Sequence, residues 1–198
     1  MNDMYQTYVG VADAIYNRRA VRHYSSREVD RETVRKLLHA ATQAPSAMNQ
    51  QPWAFAVFHG RKRLQKMSQQ AKDYLIATYP TSFELHPRSQ LYEDPHYDVF
   101  HGADTLIVIY ASPGRLHPNE DCCLAAENLM LAAYGMGLGT CPIGFVRTWF
   151  DTFETKRNLG IMENYTAVFP MVIGYPEGNL ETPVRTEPII ASWKWDDA

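Results

Sequence analysis

The stretch APSAMNQQPW, residues 44–53, separates an amphipathic helical pattern from a hydrophobic strand pattern. Small, amide-bearing and proline residues make up most of this connection. A planar, polar ligand would satisfy the amides and backbone groups of such a loop. Hydrogen bonds within the loop would satisfy them equally, as in an ordinary helix-to-strand connection. The loop by itself supports both interpretations.

The patterns on either side of this loop predict regular elements. A helix is predicted before the loop, and Asp30 is a suitable N-cap for it. Its buried stripe has the spacing i, i+3, i+4 and i+7. The stripe consists of Val34, Leu37, Leu38 and Ala41. A short helix is expected before it, over residues 9–17. After the loop, residues 53–58 predict a buried strand and residues 61–78 a basic helix.

The second half of the chain predicts strands and helices in irregular alternation. Residues 105–111 (TLIVIYA) are typical of a strand that is covered on both faces. Residues 121–134 predict a helix that is apolar nearly all round, as at the centre of a large core or at a subunit interface. A short helix over 151–159 and a strand over 166–173 follow. The expected architecture is α+β: one domain over residues 1–198, with a mixed central sheet flanked by helices.

Composition excludes several classes of protein. The 198 residues are 45% hydrophobic and 21% charged, with a net charge of −3, which is typical of a globular protein and argues against a nucleic-acid or membrane partner. No apolar run approaches the roughly 20 residues that a membrane-spanning helix needs. The first ten residues lack the pattern of a secretory signal, so a cytoplasmic location is expected.

Two segments are expected to have special roles. Residues 79–102 contain three prolines and form a long irregular stretch, which makes them the candidate substrate lid. Residues 176–198 form a proline-rich arm that carries Trp193 and Trp195 near its end. Such apolar residues imply that the arm docks, either on its own core or on a partner.

The cysteines and histidines do not indicate a disulfide or metal site. Cys122 and Cys123 are adjacent within a predicted helix, where a disulfide between them would be strained. Reduced thiols, as in a cytoplasm, are expected instead. The histidines show no metal-ligand spacing, so no metal site is expected.

An arginine-rich segment lies upstream of the loop. The sequence RRAVR places Arg18, Arg19 and Arg22 within five residues. Guanidinium groups bind phosphate through paired donors, although cations near a helix end can also complement its dipole or lie in solvent. Taken with the amides of Asn49 and Gln51, the arginines suggest a ligand with a phosphate at one end and a hydrogen-bonding ring at the other. FMN has this shape.

A third motif is GLGTCPIG, residues 137–144. Its glycines end a helix, whereas a dinucleotide-binding loop joins a strand to the start of a helix, so that phosphate site is not expected. The Pro142-Ile143-Gly144 element could instead shield one face of a flat cofactor. Arg185, in the C-terminal arm, is a possible fourth cation.

Together, the motifs RRAVR, APSAxNxQPW and AAENLMLAA followed by GLGTCPIG resemble the nitroreductase family of FMN-dependent oxidoreductases. The resemblance extends from about Ile15 to Arg185. It implies an intertwined α+β homodimer in which both subunits build each FMN site and the C-terminal arms are exchanged. The family commonly has Ser where this chain has Ala20, and the missing hydroxyl would cost about 1 kcal/mol of hydrogen bonding.

The resemblance also implies roles for individual residues. Arg18, Arg19 and Arg185 would hold the phosphate, with Arg22 near the pyrimidine end of the flavin. The neighbouring subunit would contribute residues from the loop, namely Pro45, Ser46, Ala47, Asn49 and Gln51. The face of the ring that substrate does not use would be covered by Pro142, Ile143 and Gly144.

The activity implied by this resemblance is a ping-pong transfer of hydride from NADH or NADPH, through FMN, to an electron-poor small molecule such as a nitroaromatic or quinone. No side chain is identified as a general acid. The alternatives are other flavin chemistry, such as enal reduction, dehalogenation or dehydrogenation, and a non-catalytic flavin-binding module. A redox role for Cys122 and Cys123 is a further alternative.

Overall fold

The computed structural model describes residues 10–79, 92–178 and 184–195. Within these ranges the chain forms a small sheet with helices on both faces. The strands are β1 (Trp53–His59), β2 (Thr105–Ala111), β3 (Gly139–Pro142) and β4 (Thr166–Gly174). The helices are α1 (Val11–Asn17), α2 (Arg31–Ala41), α3 (Arg61–Thr78), α4 (Pro118–Gly135), α5 (Arg147–Phe150) and α6 (Phe153–Leu159). The fold is α+β, as expected.

The strand order is β1-β2-β4-β3, and every pairing among these strands is antiparallel. The expectation of a mixed sheet is therefore wrong for the described residues, where the parallel pairing is an isolated bridge between Ala20 and Thr140. A continuous apolar strand indicates that both of its faces are covered, and it carries no information about the direction of its neighbours.

β2 is the centre of the core and is buried along its whole length. Leu106 and Val108 face a cluster that includes α3 and α5, whereas Ile107 and Ile109 face a cluster that includes α2 and α4. Alternate residues of a strand point to opposite faces, so β2 contributes to both clusters. This arrangement explains why its sequence is apolar without a polar alternation.

The predicted elements agree with the structure apart from their ends and two short additions. The Asp30 carboxylate accepts a hydrogen bond from the Thr33 amide at 2.8 Å and caps α2 as predicted. β3 and α5, each four residues long, were not predicted. Elements this short contain too few residues for a periodic pattern to be recognised.

The candidate lid falls partly outside the described residues. Residues 80–91 are not described, and in residues 92–102 the side chains of Tyr92, Val99 and Phe100 are buried in the core. The buried Lys72 ammonium of α3 donates to the carbonyl oxygens of Asp94 and Tyr97 at 3.1 and 2.9 Å. The second part of the irregular stretch is therefore packed against α3.

Candidate functional site

The arginine-bearing segment lies along the start of β3. The Val21 amide donates to the Thr140 carbonyl at 2.9 Å, beside the Ala20–Thr140 bridge. A Cβ atom built at Gly139 would lie 2.5 to 2.9 Å from the atoms of the Val21 side chain. Because real Cβ contacts are not this short, the close approach requires glycine at position 139. It brings two sequence motifs, residues 18–22 and 137–144, into contact.

Arg18 and Arg19 lie at the end of α1 with their side chains half-buried. Arg18 Nε donates to Glu127 Oε1 on α4 at 3.2 Å. Arg19 Nη1 donates to the carbonyl oxygens of Tyr16 and Arg18, both at 2.9 Å. The other guanidinium N–H groups of these two arginines make no hydrogen bond within the described part of the chain. They are therefore available to an anion.

Ala20 and Arg22 follow on the same segment, and both are exposed. Ala20 contributes no side-chain donor. Arg22 makes no hydrogen bond to any of the residues that the structure describes, so its charge faces solvent. The segment thus carries three arginines within five residues, and arginine is the side chain that binds phosphate through paired donors.

The loop between α2 and β1 has a strained backbone. Met48, Asn49 and Gln51 have φ angles of 51°, 53° and 48°, in the left-handed region that non-glycine residues rarely adopt. Such conformations cost on the order of 1–3 kcal/mol each and persist only where the surroundings impose them. The strain marks this loop as a candidate functional element.

Hydrogen bonds hold the loop in this conformation. The Ala47 amide donates to both carboxylate oxygens of the buried Asp121, each at 3.2 Å. The Gln51 amide donates to Ser46 Oγ at 3.0 Å, and Gln51 Nε2 donates to Asn49 Oδ1 at 3.1 Å. In the two bonds of Gln51, the loop satisfies its own polar groups, as the second interpretation expected. The Ala47 amide is satisfied by α4 instead. Pro45, Asn49 and Gln51 nevertheless remain exposed.

The loop and the arginines contact α4 on different sides. Asp121 and Glu127 are six residues apart, which corresponds to about 9 Å along a helix and about 120° around it. Asp121 binds the loop, whereas Glu127 binds Arg18. Within one chain, the two predicted halves of the site therefore lie against different faces of the same helix.

The Pro142-Ile143-Gly144 element continues directly from β3. The Ile143 side chain is buried in the core, and its amide donates to the Pro170 carbonyl at 2.9 Å. Pro142 and Gly144 are exposed on either side of it. The surface available here consists of the Pro142 ring and the backbone of Gly144, because the isoleucine points inward.

Arg185 is not brought to the other arginines. It lies in residues 184–195, all of which are exposed, and it makes no hydrogen bond or ion pair with another residue in the described ranges. The docking of the arm on its own core is therefore not observed for these residues.

The sequence motifs did not identify two acidic residues that organise the site. Asp121 and Glu127 hold the loop and Arg18 respectively, and both lie on the long apolar helix α4. Thr140 was also not recognised as the pairing partner of the arginine segment. The available signal in the sequence was a charged residue, Glu127, within a mostly apolar stretch of helix.

The cysteines are free thiols, as expected. Burial raises the pKa of the Cys122 thiol to about 12, and the nearby Cys123 and Asp121 act in the same direction. Burial also raises the pKa of Cys123, with a further contribution from Glu120. Both thiols are therefore protonated at neutral pH, which makes them poor nucleophiles.

The described residues contain neither a membrane-spanning helix nor a cluster of metal ligands. No helix there has the length and apolar character that crossing a membrane requires. No group of three or more His, Cys, Asp or Glu side chains in the described ranges is arranged to hold a metal ion.

The chain is similar in sequence to known proteins. The model of the nitroreductase family matches residues 15–175. A relative from Archaeoglobus fulgidus, named as a candidate NADH dehydrogenase/NAD(P)H nitroreductase, is 33% identical over 168 residues, covering 82% of this chain and 83% of the relative.

Solved structures show the same fold. An FMN-bound nitroreductase from Bacteroides fragilis superposes with a TM-score of 0.77 at 24% identity, covering 92% of this chain and 96% of the other. An FMN-bound nitroreductase from Desulfitobacterium hafniense has a TM-score of 0.77 at 23% identity, with coverage of 93% and 98%. The family match spans most of the chain, including the arginine segment, the loop and the β3 motif, and the protein belongs to the nitroreductase family.

Proposed function

We propose that this protein is an FMN-dependent oxidoreductase that transfers hydride from NADH or NADPH to an electron-poor acceptor, such as a nitroaromatic or a quinone. The observation that carries the proposal is the pairing of the arginine segment with β3. The Val21–Thr140 hydrogen bond joins the arginine segment to the strand that leads into the Pro142-Ile143-Gly144 element. This pairing supports a site in which a phosphate bound by the arginines would adjoin a surface for a flat ring.

The arginines fit the phosphate of FMN by their chemistry. Arg18 and Arg19 keep uncommitted N–H donors, and Arg22, three residues after Arg19, is exposed. Because arginine stays charged and forks its donors, it binds phosphate oxygens in pairs. Arg185 would join them from the C-terminal arm of a second copy. Ala20 provides no hydroxyl, so the arginines would carry the phosphate interaction.

The loop would reach the flavin of the neighbouring subunit. It would contribute Pro45, Ser46, Ala47, Asn49 and Gln51. The Ala47 amide binds Asp121 of α4 on a different face of that helix from Arg18. This separation supports a site in which the arginines of one protomer meet the loop of its partner. Asn49 and Gln51 are exposed amides, and they can both donate to and accept from the edge of a pyrimidine-like ring.

When bound, FMN would supply the hydride-transfer chemistry in two half-reactions, the first with NADH or NADPH and the second with the acceptor. Pro142 and Gly144 would cover one ring face and leave the other open to both substrates. Arg22 would hold positive charge near the pyrimidine edge, a fixed electrostatic contribution that needs no movement. We also propose a single domain located in the cytoplasm. Residues 92–102 pack against α3 and therefore do not form part of a substrate lid.

The purified protein tests the proposal directly. We expect a flavin absorption spectrum that bleaches under anaerobic conditions when NADH or NADPH is added and returns with a nitroaromatic or quinone. A colourless protein that FMN does not reconstitute would overturn the proposal. Flavin that binds but is never reduced would identify a non-catalytic binding module, and acceptor screening would separate nitroreduction from other flavin chemistry.

Substitution of the arginines tests the phosphate assignment. We expect Arg18→Ala or Arg19→Ala to weaken FMN binding by roughly 1.5–3 kcal/mol, because each removes hydrogen bonds between charged groups. The exposed Arg157 on α6 provides a matched control, and Arg157→Ala should leave flavin binding unchanged. Titration of flavin fluorescence measures all three variants. Unchanged flavin retention in both site variants would contradict the assignment.

A further inference from the structure

We propose that Glu127 is a positioning residue for the phosphate site: its carboxylate orients the Arg18 guanidinium and reduces the positive charge that a bound phosphate meets. This inference rests on the proposed function, since it concerns the same site. It assigns a role to the acidic residue that interrupts an otherwise apolar helix.

The geometry of the pair is specific. Glu127 Oε1 accepts from Nε of Arg18 at 3.2 Å. In a planar guanidinium the Nε–H and one N–H of Nη2 lie on the same edge, so this bond leaves the other edge, formed by Nη1 and the remaining N–H of Nη2, facing away from the carboxylate. The terminal amino groups make no hydrogen bond within the described part of the chain. Glu127 therefore holds Arg18 by one edge and presents the other to an anion.

The two partners differ in how firmly the fold holds them. Glu127 follows Ala126 on α4, and both Ala126 and Leu129 are 0% exposed, so the backbone of this helix is fixed in the core. Arg18 has extended backbone angles just after the end of α1, and its long side chain would otherwise sample many rotamers. A fixed carboxylate that restrains a mobile guanidinium lowers the entropic cost of binding a ligand.

Glu127 and its polar neighbour Asn128 contact different parts of the molecule. The neighbouring polar residue Asn128 donates to the Ala40 carbonyl at 3.4 Å and so joins α4 to α2. Among the described residues, the hydrogen bond and ion pair of Glu127 go to Arg18. The two side chains are 46% and 23% exposed, so the pair lies at the surface where a ligand can reach it.

Orientation and charge have opposite effects on FMN binding, and two substitutions separate them. Glu127→Gln keeps an oxygen that can accept from Nε but removes the negative charge. Glu127→Ala removes both. If the proposal is right, Glu127→Gln binds FMN more tightly than the native protein, with a steeper salt dependence. Glu127→Ala should bind FMN about tenfold more weakly than Glu127→Gln, a factor that corresponds to about 1.4 kcal/mol.

Riboflavin, which lacks the phosphate, is the matched ligand control. Its affinity should be the same for the native protein and for both Glu127 variants, because Arg18 would not contact it. The exposed Glu163 is the control for charge, and Glu163→Gln should leave both affinities unchanged. In an Arg18→Ala background, the difference in FMN affinity between Glu127→Gln and Glu127→Ala should disappear, because no guanidinium remains to be oriented. Fluorescence titrations at two salt concentrations give all of these values.

The outcomes separate this inference from the proposed function. Equal FMN affinities for Glu127→Gln and Glu127→Ala would overturn the orienting role, and no gain in affinity for Glu127→Gln would overturn the charge effect. A parallel change in riboflavin affinity would indicate a structural role and would also overturn the proposal. A native protein that binds neither flavin would instead refute the proposed function.

Discussion

Gly139 is the residue on which the contact between the arginine segment and β3 depends most directly. It has no side chain, and Val21 occupies the space where a Cβ atom would lie. Val21 is itself buried, so it has little room to move. The positions of Arg18, Arg19 and Arg22 therefore depend on the absence of a side chain at Gly139.

We expect Gly139→Ala to destabilise the protein by about 1–3 kcal/mol, because the added methyl group overpacks a buried contact. Since the clash pushes the arginine segment off β3, flavin affinity should fall as well. Gly144→Ala is the matched control, because a Cβ atom there meets no atom within 4 Å. Urea unfolding measures both variants. Equal stability of the two would contradict the close approach of Val21.

At the scale of elements, α4 organises the site. Asp121, near the N-terminus of α4, binds the strained loop. Glu127, six residues later, binds Arg18. The helix also packs against α2 on one face of the sheet. A rigid central helix can thus position two surface elements that do not otherwise share a core.

We expect Asp121→Ala to release the loop and to cost about 1–3 kcal/mol of stability, because the Ala47 amide loses its partner. FMN binding should weaken in the same variant if the loop contributes to the site. Asp121→Asn keeps an acceptor oxygen and should lose less. Urea unfolding and flavin titration give the two quantities. A native-like Asp121→Ala variant would show that the loop keeps its conformation without this anchor.

The N-terminus of α2 provides a pH-dependent element. Hydrogen bonds from the Thr33 hydroxyl and amide lower the pKa of Asp30 below its ordinary value of 3.8. A group whose pKa is lower in the folded state contributes stability above its unfolded pKa and loses it as the pH falls through the folded pKa. The contribution of Asp30 should therefore be complete above pH 3.8 and decline below it.

Comparison with a neutral cap isolates this effect. Asparagine also caps helices, and its capping does not depend on pH. We expect Asp30→Asn to be less stable than the native protein above pH 3.8, with the difference shrinking as the pH falls further. Urea unfolding between pH 2 and 7 measures it. A difference that stays constant over this range would mean that ionisation of Asp30 does not matter.

At the scale of the whole molecule, the exposed C-terminal arm is the feature that most needs a partner. Val184 and Ile189 are 96% and 98% exposed, and the rings of Trp193 and Trp195 stack on each other while remaining exposed. Apolar surface of this extent commonly marks an interaction site. Among the described residues, β1 also lies at an edge of the sheet, where one side of the strand has no neighbouring strand. Both features support the exchange of arms in a homodimer.

We expect the full chain to be a dimer in solution and a chain ending at residue 183 to dissociate and to lose flavin. The truncation removes the apolar arm and Arg185 together, so Arg185→Ala in the full chain separates the two contributions. That variant should remain dimeric and bind FMN more weakly. Sedimentation velocity and flavin content measure both properties. A full-length monomer that retains flavin would contradict the composite site.

Much of the fold could be predicted because its elements have strong local signals. The stripe of α2, the Asp30 cap and the apolar run of β2 each depend on residues that are close together in the sequence. The candidate motifs were recognised for the same reason. The roles of Arg18, Arg19 and Arg185 in binding phosphate, and of Arg22 near the pyrimidine end of the flavin, remain predictions.

The relations between these elements required the tertiary structure. The antiparallel direction of the sheet, the contact of Ala20 with Thr140 and the pairing of Arg18 with Glu127 join residues that are far apart in the chain. No local periodicity specifies such pairings, because they depend on how the two faces of β2 are covered and on which close approaches a glycine permits. The sequence by itself determined the elements and their motifs, whereas the packing around β2 and α4 decided which motifs meet.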